Sequence, residues 1–241
     1  MRAIVLSGGP THDFATTSGC LAEVLDEVGL DVEVYDDIEA GVAALGRDRV
    51  GGDGPAATRL LVVNLLRWTM RVPARYADRA AELGYSPSEQ VRAGVRAHLD
   101  RGGGLLGMHT ASICFDDWPE WGAILGGAWN WDRSHHPPAG PMSVRVSRPD
   151  HPLVSGLDGF SLHDECYGFL DLQPDVAGLI ESEHSGTAHP LLWAREYRGG
   201  RVVYDALGHD ESAYQVPEHR EIVRRAARWA ARLEPARRSP R

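Results

Sequence analysis

At 241 residues with 43% hydrophobic side chains, the chain is long enough to bury a substantial core and falls within the range of one α/β domain. A formal charge of -9 argues against a nucleic-acid groove, whose affinity comes from clustered lysine and arginine; only 220–241 is arginine-rich, and its amphipathic spacing reads as a solvated helix face. Cys20, Cys114 and Cys166 are widely spaced with no CxxC pair, which suggests neither a disulfide framework nor a thiolate zinc site and fits a reducing cytoplasm.

AIVLSGG at 3–9 is a continuous apolar run ending in glycines, as in a strand covered on both faces. It is too short for a signal peptide, and no later run approaches the roughly 20 apolar residues that span a bilayer, so no membrane contact is expected. TTSGCLAEVLDEVG predicts a helix with a threonine N-cap, Leu21, Val24, Leu25 and Val28 at helical spacing, and Gly29 as the stop. DVEVYDD is a second strand, IEAGVAALG a short helix, and RLLVVNLL at 59–66 a third, buried strand; the Gly-rich GRDRVGGDGPAAT separates the last two. Residues 67–85 read as an excursion over the sheet edge. SPSEQVRAGVRAHLDRGG predicts a helix with Ser86 as N-cap, Pro87 in the first turn and a glycine stop before a fourth strand, GLLGMH. Strand and helix alternating four times predict an α/β fold with a doubly wound, mostly parallel sheet flanked by helices.

Beyond that point short strands with turns predict antiparallel additions: MSVRVSRPDHPL, FSLHDECYGFLDL, VAGLIESEHS, and HPLLWAREYRGGRVVYDALG with RGG as a hairpin turn. PEHREIVRRAARWAARL closes the chain as a helix whose inner face carries Ile222, Val223, Ala226, Ala227, Trp229, Ala230 and Leu233. One domain is expected over 1–234, with 235–241 as a flexible tail.

In an open parallel sheet, ligands bind beyond the carboxyl ends of the strands. The first strand delivers His12 and Asp13 there, the third Asn64, Arg67 and Trp68, the fourth His109, and YDALGHD delivers His209 and Asp210. Three exits thus bring histidine, which exchanges protons near neutral pH and binds metals, to one rim. SLHDECY adds Asp164 and Glu165; on a strand they point to opposite faces, so Glu165 is expected in the cleft with Asp164 orienting a neighbour. WNWDRSHHPPAGP, with His135 and His136, has the composition of a lid, and tryptophan faces can stack on sugar rings. No GxGxxG or GxxxxGK[ST] follows Gly8 and Gly9, so no nucleotide cofactor is expected. GMHTA offers no serine at the apex of its turn, which disfavours a Ser-His-Asp hydrolase.

RGGGLLGMHTAS with the following DWPEWGAILGG (101–127), HHP (135–137), HPLVSGL (151–157), DECYGF (164–169), HPLLWAREYRGGRVVYDALGHDESAY (189–214) and the amino-terminal GG and HDF together resemble the ThuA-like trehalose-utilisation proteins, which share the class I glutamine amidotransferase-like fold. The resemblance implies that His109 stands where amidotransferases carry their cysteine nucleophile, so thioester chemistry is excluded there. It also implies a role with trehalose and related disaccharides, as 3-keto sugars made by a partner sugar dehydrogenase. His12, His109, His136, Glu165 and His209 match the family's polar positions, and Trp118, Tyr167 and Trp193 its aromatic ones. The chain departs from the pattern in the long 67–85 excursion, in NWDRS before HHP, and in Cys166, where an aromatic is common.

Two functions follow as expectations. In one, the chain is a sugar-processing hydrolase or lyase in which His109, Glu165 and His209 do acid–base chemistry, while His12, Trp118, His136, Asp164, Tyr167, Trp193 and Asp210 contact substrate. A divalent cation, zinc, manganese or iron, held by some of these histidines and Glu165 fits the same residues, whose spacing does not select the ligands. In the other, the cleft belongs to a non-catalytic sugar-binding or sensor module. A homo-oligomer is among the expectations, and a subunit role in a larger complex is favoured only if 67–85 presents an apolar contact surface.

Overall fold

The computed structural model describes residues 1–47 and 57–233. Most of the Gly-rich stretch before the third strand, and the tail expected at 235–241, lie outside the described residues. In chain order the elements are β1 (Arg2–Gly8), α1 (Phe14–Glu27), β2 (Asp31–Tyr35), α2 (Ile38–Ala44), β3 (Thr58–Leu65), α3 (Ala80–Leu83), α4 (Glu89–Asp100), β4 (Gly104–Met108), α5 (Pro119–Leu125), β5 (Gly127–Ala128), β6 (Gly140–Val146), β7 (Phe160–Asp164), β8 (Asp171–Leu172), β9 (Ile180–His184), β10 (Thr187–Tyr197), β11 (Gly200–Asp205), α6 (Glu211–Gln215) and α7 (Pro217–Ala230).

Among the described residues nine strands form one sheet in the order β2-β1-β3-β4-β11-β10-β9-β6-β7. The pairs from β2 to β11 are parallel, and those from β11 to β7 antiparallel, as the sequence predicts. Ala3–Leu6, Leu60–Val63 and Leu105–Leu106 are essentially inaccessible, which explains why these strands read as unbroken apolar runs rather than alternating ones. Gly104 lies so close to Ala230 of α7, and Gly107 to Leu125 of α5, that a Cβ at either would collide. Positions of opposite parity face opposite sides of a strand, so α5 and α7 cover the two faces. α1 packs on α7, and α2 on α4, which is tied to α5 by Arg96–Glu120 at 2.7 Å.

Two caps differ from expectation. Asp13, not threonine, caps α1 by accepting the Thr16 N–H at 3.0 Å, and Ser88, not Ser86, caps α4 by accepting the Val91 N–H at 3.1 Å. In both cases the rival residue lies within three positions, and the periodic apolar pattern places a helix better than it places its first turn. The 67–85 excursion contains a 3-10 turn at 74–79 and α3, and its large apolar side chains Trp68 and Met70 are buried against their own chain.

β4 and β7 stand five steps apart in the sheet, about 24 Å in a flat array at about 4.8 Å per strand. Their ends nevertheless deliver His109 and Glu165 to within 3.3 Å of each other. The antiparallel half therefore curls back over the carboxyl ends of the parallel strands and closes a site there.

Candidate functional site

Four side chains from four strand exits converge. His12 follows β1, His109 follows β4, Glu165 follows β7, and His209 follows β11. One ligand atom from each lies within 4.8 Å of every other. These atoms, His12 Nε2, His109 Nε2, Glu165 Oε2 and His209 Nδ1, are all buried and none makes a hydrogen bond. Buried polar atoms are normally paired, and four orphans pointed at one spot are uncommon.

The surroundings fix each group. His109 sits at φ +42, a left-handed conformation that a side-chain-bearing residue seldom adopts, on the turn leaving β4. Its Nδ1–H donates to the Ala206 carbonyl at 2.7 Å, so Nε2 carries a lone pair into the cluster. The Tyr204 hydroxyl donates to the His109 carbonyl at 2.7 Å and locks the turn from below. Burial, joined by the neighbouring His109 and His209, pushes His12 down to about 4 and keeps it neutral. Burial alone would raise Glu165, but the His109 and His209 imidazoles, 3.3 and 3.4 Å away, outweigh it and hold the carboxyl well below the usual range. The same contact with Glu165 raises His209 against the effect of burial.

Asp164 is 2% exposed and contacts no open space. Its Oδ1 accepts the Glu165 and His209 N–H groups at 2.8 and 3.3 Å, and its Oδ2 accepts the Gly208 N–H at 2.7 Å. One buried carboxylate thus ties the β7 exit to the β11 exit and sets two members of the cluster. Gly208 lies at φ +105 with the Tyr214 hydroxyl where a Cβ would stand, so the loop closes only with glycine there. Behind it a second buried pair, Asp205 and His219 at 3.1 Å, anchors the start of α7.

The remaining residues singled out in the sequence separate into groups. His136 Nδ1 lies 3.4 Å from Glu165 Oε1 and 2.9 Å from the Pro137 carbonyl, with the ring one-third exposed at the rim. Tyr167 is buried as a shelf, its ring 4.6 Å from His109 and 5.2 Å from His136. Three expected substrate contacts lie elsewhere. Trp193 is fully buried, its indole N–H donating to the Leu125 carbonyl, because β10 is covered by α5 at that position. Trp118 is buried beside Trp121, with Arg92 and Arg96 over its ring, in the wall of a neighbouring cavity rather than at the His/Glu cluster. Asp210 caps α6, accepting the Ser212 N–H at 2.8 Å. Asp164, expected among the substrate contacts, is the buried clamp described above. Cys114 is buried, and burial pushes its thiol up to about 12, which removes it as a nucleophile.

Sequence reasoning missed the Asp205–His219 pair and the carbonyls of Ala206 and Pro137; backbone acceptors leave no residue-type signal. It also left Trp129 and Trp131 without positions, although their pairing in WNW was visible.

Three histidines and one carboxylate are donors that suit zinc, and equally manganese or iron, and the carbonyl behind His109 is the usual outer support of a metal-bound imidazole.

Residues 78–230 match the ThuA family, described as "Trehalose utilisation". No curated protein matches the chain. Among solved structures, a protein described as ThuA-like from Parabacteroides merdae is similar over 100% of this chain and 93% of its own, at 18% identity and a TM-score of 0.74. Another described as ThuA-like, from Bacteroides uniformis, is similar over 95% of this chain and 91% of its own, at 17% identity and a TM-score of 0.64. A cytoplasmic protein from Salmonella typhimurium matches 95% of this chain and 99% of its own, at 13% identity and a TM-score of 0.61. At these identities the likeness concerns the fold. Among the described residues no helix is long and apolar enough to cross a membrane.

Proposed function

Because the chain belongs to the ThuA family, we propose that it is a metal-dependent cytoplasmic enzyme acting on a disaccharide or its 3-keto derivative, with no cysteine nucleophile. The observation that carries this reading is the convergence of four buried atoms that make no hydrogen bond, His12 Nε2, His109 Nε2, Glu165 Oε2 and His209 Nδ1, on one point. The acid–base set His109, Glu165 and His209 alone would leave the inward nitrogen of His12 with no function. As ligands, all four are used.

A divalent cation held there would polarise a substrate carbonyl and offset the charge of an enolate. The protein's own residues do the rest. His136 Nδ1–H faces the Pro137 carbonyl and Glu165, which leaves its Nε2 as a base at the open rim. From a 3-keto glycoside this nitrogen takes the proton on the carbon between the carbonyl and the glycosidic carbon. The electron pair left behind forms a carbon–carbon double bond and expels the glycosidic oxygen, which takes the proton back from the imidazolium. Tyr167 holds the His136 and His109 rings in place, and Asp164 holds the Glu165 and His209 backbones. The keto sugar would be supplied by a partner sugar dehydrogenase.

The test is incubation of metal-analysed protein with trehalose, sucrose and their 3-keto derivatives, with products followed by mass spectrometry. Cleavage that needs bound metal and is lost in His136→Ala and Glu165→Gln is expected. No conversion with zinc, manganese or iron present would refute the enzyme and leave a sugar-binding or sensor module.

A further inference from the structure

Near the His/Glu centre lies a cavity of about 400 Å³, within the size range of small-molecule sites. Its walls include Val72, Phe115, Trp129 and Trp131, and Asp116 and Asp132 stand at its edge. We propose that this cavity is a second sugar subsite, which takes the pyranose ring joined to the one processed at the metal centre. This rests on the sugar-processing reading above and adds where the second ring lies.

Position is the first argument. Trp129 lines the cavity, and its ring also meets Tyr167 at 5.1 Å and His136 at 5.9 Å, so the cavity shares a wall with the surround of the His/Glu centre. The 3-10 turn that begins at His109 continues to Ser112 on the cavity wall. Two joined rings could therefore reach both sites at once.

Chemistry is the second. A pyranose offers an apolar C–H face and a girdle of hydroxyls, and it pairs with aromatic faces and hydrogen-bonding groups. The cavity supplies both. The Trp129 indole, in the cavity wall, carries an N–H that is buried and has no acceptor. Asp116 and Asp132 are exposed acceptors, and their charge disfavours an anionic ligand.

Construction is the third. The 67–85 excursion braces this cavity from outside. Trp68 and Tyr76 pack on Trp131 at 5.8 and 6.2 Å, while the Thr69 N–H and hydroxyl donate to the two oxygens of Asp116 at 2.8 and 2.7 Å. Most of the excursion, 67–77, lies ahead of the residues that match the family, 78–230, and the Trp129–Ser134 stretch lies within them. They meet at this cavity.

The test measures binding of trehalose, glucose and tetramethylammonium to the full chain by saturation-transfer difference NMR, with bound zinc measured in parallel. The wild type is expected to bind trehalose about tenfold more tightly than glucose, with no displacement by tetramethylammonium. Trp131→Ala should remove that advantage and leave glucose affinity and bound zinc unchanged, while Trp131→Phe should keep most of it. An unchanged trehalose-to-glucose ratio in Trp131→Ala, no sugar binding by the wild type, or displacement of trehalose by tetramethylammonium would overturn the subsite. Loss of the ratio in Trp131→Ala with no metal or turnover in the wild type would refute the enzyme and leave the subsite standing. Turnover with an unaltered ratio would do the reverse.

Discussion

Replacing Asp164 by asparagine removes one buried charge at nearly constant volume. The carboxylate accepts three backbone N–H groups with two oxygens, from Glu165, His209 and Gly208. An amide has one oxygen, so its NH2 must face either the Gly208 N–H or the other pair, donor against donor. A hydrogen bond to a charged group contributes about 1.5–3 kcal/mol, and a buried donor left unpaired costs about 1–3 kcal/mol. Because the two overlap, the expected loss is about 2–4 kcal/mol in urea unfolding of the metal-free protein. Whichever way the amide turns, the β11 exit that carries His209 loses at least one of its ties to Asp164, and loss of such outer support typically weakens metal binding by about 10–100-fold. Zinc affinity, read by competition with a chromophoric chelator, is expected to fall by that amount in Asp164→Asn. Stability within about 0.5 kcal/mol of wild type, with unaltered zinc affinity, would refute the clamp, since that is the range of a neutral surface change.

Three other outcomes are expected. His98 is fully buried, and burial pushes it down to about 4, so the unfolded chain takes up a proton first as pH falls. Its contribution is intact above the ordinary value near 6.5 and is lost as pH drops towards 4, by on the order of 3 kcal/mol; thermal melts from pH 7 to 4.5 should show the wild type losing this margin against His98→Asn, and parallel curves would contradict it. Cys114, buried with its thiol pushed up to about 12, should resist iodoacetamide in the native protein at pH 8; mass spectrometry finding it alkylated with the fold intact would count against that placement. Trp193→Ala should cost about 3–5 kcal/mol in denaturant unfolding and leave the number of zinc ions bound unchanged; loss of zinc would return Trp193 to the site.

The parallel half of the fold was legible because burial on both faces writes itself as unbroken apolar runs such as Leu60–Val63. The histidines were legible for a related reason: His12, His109 and His209 each follow such a run, and strand exits in a parallel sheet share one rim. Glu165 was harder, since its strand stands five places from β4 in the sheet, and only the curl of the antiparallel half brings it home. Nothing in residue type records that curl. Trp193 and Asp164 were placed at the site because they have the composition of a sugar site, yet they have the burial of a core. Asp164 and Glu165 are adjacent and alike, yet one is a ligand candidate and the other a backbone tie; that division arises from where the β11 loop passes.

Metal stoichiometry and affinity measured on purified protein, after chelation and reloading with zinc, manganese or iron(II), test the central claim most directly. One ion per chain is expected, bound at least about a hundredfold more weakly when His109→Ala, His209→Ala or Glu165→Gln removes a ligand, with His136→Ala unaffected. Failure to bind any of the three ions, or binding indifferent to all three ligand substitutions, would contradict it.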